Sequence, residues 1–105
     1  MGELEFAHWL KDNLGINARR GRQYCGSPNS PDVVSDLPVH WEVKRVQRLN
    51  IYEAMSQAES QCGEHIPCVA HRKNRAVWHL TIRASDLKKF VSHLVDLDGS
   101  RVGSG

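Results

Sequence analysis

Three residues stand out for the chemistry they could do together. Asp32 follows Pro31, and after nine intervening residues come Glu42, Val43 and Lys44. Glu42 and Lys44 are two apart in an alternating stretch rich in Val and Trp, VHWEVKRV over 39–46, so on a strand both side chains leave the same face. Asp32 opens a shorter run, DVVS over 32–35, and Asp-Leu-Pro between the two runs predicts a turn. If the strands pair, Asp32 approaches Glu42. Two carboxylates at one point repel each other, which makes a divalent cation their natural companion. Mg²⁺ takes a few carboxylates, a carbonyl oxygen and retained waters, and accepts a phosphate as a further ligand; the Val43 carbonyl is a candidate for the carbonyl position. An ammonium at Lys44 would orient an attacking water and offset negative charge during phosphodiester cleavage. The plainer reading is a surface ion pair between Glu42 and Lys44, worth about 0–1 kcal/mol.

The basic residues fall where such chemistry would use them. Net charge is only +2, so the chain as a whole does not announce a nucleic-acid binder. Residues 16–48, however, hold six Lys/Arg against three acids, and residues 71–83 hold four against none. Arg19, Arg20 and Arg22 surround Gly21 just before the Asp32 segment, Arg45 and Arg48 follow Lys44, and Arg72 lies in the second basic stretch. These are candidates to hold nucleic-acid phosphates without reading bases, or else solvated surface residues. Ser27 and Asn29, in the CGSPNSP loop over 25–31, are candidates for close approach to a phosphate backbone.

Elements to position these groups can be read from periodicity. Residues 3–14 carry apolar positions at helical spacing and end at Gly15. Residues 16–24 predict an irregular strand, followed by strands at 32–35 and 39–46. On the second, Trp41, Val43 and Arg45 point one way, and His40, Glu42, Lys44 and Val46 the other. Asn50 with Glu53 three residues later predicts a capped helix running to about Gln61. Residues 66–71 and 77–82 predict a hairpin around Lys73–Arg75, and Ser85 predicts the cap of a helix over 86–95. One domain over 1–97 is expected, with a flexible Gly/Ser-rich tail over 98–105. The order predicts an α/β fold, a central mixed sheet flanked by helices.

With these motifs in place, the chain resembles the PD-(D/E)xK nuclease superfamily, and within it the small phage and prophage endonucleases similar to archaeal-type Holliday junction resolvases. The resemblance spans about residues 2–92. It rests on Pro31-Asp32-Val33-Val34 and Glu42-Val43-Lys44, with Gly2-Glu3-Leu4-Glu5, Gln57-Ala58-Glu59 and the stretch Ile66 to Arg72 around them. It implies a restriction-endonuclease-like α-β-β-β-α-β core and a Mg²⁺-dependent endonuclease, with Mn²⁺ as a substitute, acting on branched or structured DNA. It also implies a homodimer, since cutting a junction takes two sites acting together. Asp32 and Glu42 would be metal ligands and Lys44 the water-orienting residue. Glu3 or Glu5 would be the first-helix acid, Glu3 fitting the spacing better, and Gln57 a polar residue near the metal. This acid lies almost at the start of the chain, and the basic lead-in usual in the family is missing.

The remaining features narrow the field. No apolar stretch is long enough for a membrane span or a signal-peptide core, so a cytoplasmic location is the default. Three cysteines without framework spacing favour a reduced compartment. Cys62, His65, Cys68 and His71 recur every third residue, but Cys68 and His71 would fall on opposite faces of a strand, which argues against zinc. Rival readings are a restriction-type, repair-type or nicking nuclease on the same fold, or a non-catalytic DNA-binding subunit. An RNA-binding module lacks the strand aromatics that base stacking uses.

Overall fold

The computed structural model describes residues 2–21 and 30–102, with side chains described as far as 97. The element order is α1 (Glu3–Leu14), β1 (Ala18–Arg20), β2 (Val33–Ser35), β3 (Val39–Arg45), α2 (Ile51–Gln61), β4 (Ile66–Arg72), β5 (His79–Ile82), a 3₁₀ turn (Ala84–Asp86) and α3 (Leu87–Val102). The strands form one mixed sheet in the order β1-β2-β3-β4-β5. β1, β2 and β3 pair antiparallel, β3 and β4 pair parallel, and β4 and β5 pair antiparallel. A parallel pair needs a crossover, and α2 supplies it. The protein is therefore α/β, a five-stranded sheet with helices on both faces.

Strand parity decides what each face receives. On β3 the odd residues Val39, Trp41 and Val43 join the main core, and their β4 partners Ile66, Cys68 and Ala70 share that face. Against it α1 lays Phe6, Ala7 and Leu10, and α3 lays Phe90. The Phe6 ring meets Trp41 edge-on at 5.2 Å and Trp78 at 5.0 Å, and Phe90 meets Trp41 edge-on at 6.3 Å. The opposite face is covered by α2, whose Ala54 and Ala58 lie on Val69. Small residues there let the helix sit close to the sheet.

Local chemistry sets the element ends. Gly15 takes the left-handed conformation after α1 (φ 64°), and its N–H caps Leu10 and Lys11 carbonyls. The Asn50 side chain accepts the Glu53 N–H at 3.1 Å, half of the capping box that the spacing predicts. Ser35 Oγ accepts the Trp41 indole N–H at 2.9 Å and the Leu37 N–H at 3.2 Å, tying the β2–β3 turn to its strand.

The structure differs from the sequence expectations in the C-terminal third. β5 starts at His79 rather than residue 77, because Trp78 turns onto Phe6 instead of pairing. Ser85 is not a helix cap. It lies inside the 3₁₀ turn, which Arg83 closes with a 2.7 Å bond from its Nε to Asp86. The last helix does not stop at residue 95; it runs to Val102, anchored by Leu94 and Leu97 on the core, so the predicted flexible tail is helical over 98–102. Among the described residues no helix is long and apolar enough to cross a membrane.

Candidate functional site

The sheet opens beside Val43. β2 begins only at Val33, opposite Trp41, and Asp32 lies just before it. The Asp32 N–H nevertheless donates to the Trp41 carbonyl at 2.9 Å, so two successive residues face one, as in a β-bulge. The Asp32 carbonyl accepts the Gly21 N–H at 2.8 Å. Its carboxylate Oδ2 then accepts the Val43 N–H at 2.8 Å, taking the place of a ladder carbonyl. Asp32 is thus held at its amide, its carbonyl and its side chain, at the middle residue of the Glu42-Val43-Lys44 triplet. The N–H and C=O of one strand residue point to the same side, so the Val43 carbonyl also opens toward Asp32.

Glu42 and Lys44 share a face of β3, as alternation requires. The Glu42 side chain is 6% exposed, while Lys44 is partly open to solvent. Lys44 Nζ stands 3.6 Å from Glu42 Oε2, and His40 Nε2 stands 3.7 Å from Oε1. Both separations exceed good hydrogen-bond length. Glu42 is therefore a buried carboxylate flanked by two nitrogens that stop short of bonding it. His40 is 2% exposed, and its Nε2 has no hydrogen-bond partner.

Across the sheet, Lys44 is in register with His71, and His71 with His79. His71 Nε2 lies 3.0 Å from the Thr81 hydroxyl, and the two imidazoles meet edge-on at 5.4 Å. Burial, and then the neighbouring His79, hold the His71 imidazole below its ordinary pKa.

The oxygen donors nearest Val43 are the Asp32 carboxylate, the Val43 carbonyl itself and, one residue along β3, the Glu42 carboxylate. Among the described residues, no three His, Cys, Asp or Glu side chains gather as a metal-binding group. A cation at Asp32 and Glu42 would therefore keep several of its own waters, the habit of Mg²⁺ rather than of zinc. The buried Glu42, with neither nitrogen in bonding distance, fits such a resident.

The other predicted residues are spread over several elements. Gln57 is exposed on α2, because Ala54 and Ala58 set which side of that helix meets the sheet. Glu3 lies in the first turn of α1, whose start rests on β3: a Cβ on Gly2 would stand 3.3 Å from Val43 Cγ1 and 3.1 Å from Arg45 Cβ. Glu5 is engaged by Arg45 at 3.6 Å and Arg72 at 3.4 Å. Arg45 and Arg72 are paired residues on the α1 face, and Arg72 also lies over the Trp78 ring at 5.6 Å. Both point away from Lys44. Arg19 and Arg20 are exposed on the edge strand β1 and border an open cleft with Gly21 and Val34. Arg48 is exposed between β3 and α2. Arg22, Ser27 and Asn29 lie outside the described residues.

Two residues of the site escape a reading of motifs. His40 looks like any polar residue on an alternating strand, and only its burial beside Glu42 marks it. Gly21 sits among arginines that draw attention instead. A Cβ there would run into the Pro31 carbonyl, so glycine is what lets β1 close on the Asp32 backbone. No family model matches the chain, and neither a curated protein nor a solved structure matches it.

Proposed function

We propose that the protein is a Mg²⁺-dependent endodeoxyribonuclease of the PD-(D/E)xK type, hydrolysing phosphodiester bonds in branched or structured DNA, with Mn²⁺ able to replace Mg²⁺. The observation that carries the reading is the Asp32 carboxylate at 2.8 Å from the Val43 amide, between Glu42 and Lys44. The element order supports it as well, since α1-β1-β2-β3-α2-β4 has the sequence of a restriction-endonuclease-like core. In this reading Asp32, Glu42 and the Val43 carbonyl hold the cation. Bound there, it would supply a water of lowered pKa and offset charge on the phosphate. Lys44, partly open to solvent beside Glu42, directs its ammonium to the water and the phosphate oxygens. Arg19 and Arg20 hold flanking phosphates. Cutting both strands of a junction calls for two such sites, so a homodimer belongs to the proposal.

The test is cleavage of four-way junction, flap, nicked and linear duplex DNA with Mg²⁺, Mn²⁺ or a chelator. Asp32→Asn and Glu42→Gln should each remove metal-dependent cleavage while leaving DNA binding largely intact. Cutting by either variant at the parental rate, or by the parent in chelator, overturns the proposal.

A further inference from the structure

A cavity of about 400 Å³ lies at the carboxyl ends of β3 and β4, between the segment leading into α2 and the loop leading to β5. Crevices at the carboxyl ends of parallel strands are common ligand sites, and this size is in the range of small-molecule pockets. Val46, Leu49, Ile51 and Ala76 give it apolar walls, and His71 and His79 give it imidazole surface. Lys73 brings positive charge, and among the described residues no acid lines it. The walls are tied together, since Gln47 Oε1 accepts the Asn74 N–H at 2.7 Å.

Its position relative to Lys44 gives it meaning. Lys44, His71 and His79 form a row across three neighbouring strands. Strands lie about 4.8 Å apart, so the row spans about 10 Å from Lys44 to His79. A DNA strand whose phosphate lies at Lys44 would carry the next nucleotide over the two imidazoles. An apolar chamber with an aromatic surface and a cation at its edge takes a base with its phosphate, as sites for single-stranded nucleic acid do. A base can enter only if it is unpaired.

The geometry points to a subsite for one unpaired nucleotide of a DNA strand, built from Val46, Leu49, Ile51, His71, Ala76 and His79 beside the cleavage centre. Its placement next to the scissile phosphate rests on the nuclease reading above. It gives a physical basis for choosing branched DNA over continuous duplex: only a branch or a free arm supplies the base.

The test is binding in chelator, where nothing is cut, read by fluorescence anisotropy on a forked duplex and a blunt duplex. An abasic nucleotide is moved through the unpaired arm, one position at a time. One position near the branch should weaken binding by about tenfold, the scale of one lost base stack. Ala76→Trp, which fills the chamber, should abolish that sensitivity and leave blunt-duplex affinity unchanged. His79→Ala, a change at an exposed ring that spares the core, should weaken forked DNA by about fivefold. Uniform tolerance of abasic positions, or equal weakening of forked and blunt DNA by both variants, overturns the subsite. Displacement of forked DNA by an equal concentration of free deoxynucleoside monophosphate overturns the assignment to a strand. A protein that cuts in Mg²⁺ yet shows no abasic penalty keeps the nuclease reading and loses the subsite. One that shows the penalty yet never cuts keeps the subsite and loses the nuclease reading.

Discussion

The two faces of the sheet are made from the same strands and differ in nearly everything else. Odd residues of β3 enter an aromatic core under α1 and α3, where Phe6, Leu10, Trp41 and Cys68 are wholly buried. Even residues of the same strand, His40, Glu42 and Lys44, lie on the α2 side, where the apolar cover is Ala54, Ala58 and Val69 with a few half-buried neighbours. One side chain in two goes to cohesion and the other to polar chemistry. A thick core on one side lets the other side hold a buried carboxylate and an imidazole with an unbonded Nε2, each of which opposes folding. Cys68 shows the contrast within β4: burial pushes its thiol up to about 12, so on the aromatic side it stays protonated and unreactive.

This division can be broken most heavily from the core. Trp41→Ala should cost about 3–5 kcal/mol in urea unfolding, the range for truncating a buried aromatic; a loss under about 1 kcal/mol would mean the aromatic face does not carry the stability. Glu42→Gln on the same strand is the mirror experiment. Its unfolding free energy should stay within about 1 kcal/mol of the parent, while cleavage falls by about 100- to 1,000-fold, the scale of a lost transition-state contact. Gly21→Ala falls between them. The clash with the Pro31 carbonyl should cost about 1–3 kcal/mol as an overpacked position does, and cleavage should fall further than stability because Asp32 moves with Pro31. Equal stability for the alanine variant would show that β1 does not press on that backbone.

The smallest effect is in pH dependence. His71 has its pKa depressed in the folded protein, so over that interval the unfolded chain binds more protons than the folded one. This contribution to stability is therefore full above the ordinary imidazole value, declines as pH falls below it, and levels off below the folded value. An NMR titration should place the His71 midpoint below that of a free imidazole, and His79→Ala should move it upward. A midpoint unchanged by that substitution would remove His79 as a cause.

Much of this division is legible in the residues. Alternation over 39–45 assigns Trp41 and Glu42 to opposite faces because a strand has a period of two. Asn50 and Glu53 announce α2 because a cap satisfies a particular amide. Contacts that depend on partners far along the chain are less visible. Val77 and Trp78 are strand-like in type, yet Trp78 packs on Phe6 from α1. Gly99 and Ser100 read as a tail, yet Leu94 and Leu97 anchor the helix that continues through them. Arg45 follows Lys44 and Arg72 lies in a basic stretch, which suggests phosphate contacts, but parity turns both to Glu5 on the other face. Gln57 follows the motif pattern, yet the phase of α2 is set by Ala54 and Ala58.

The bond from Val43 to Asp32 carries one more consequence. Where β2 peels away, β3 would present a bare amide at its margin, and the Asp32 oxygen closes that gap. One carboxylate therefore seams the fork of the sheet and lends it negative charge. Truncation to alanine would undo both at once, and a dead variant of that kind would say nothing about which had failed. Asparagine keeps an oxygen for the amide and discards only the charge, so it alone separates architecture from reactivity at this position.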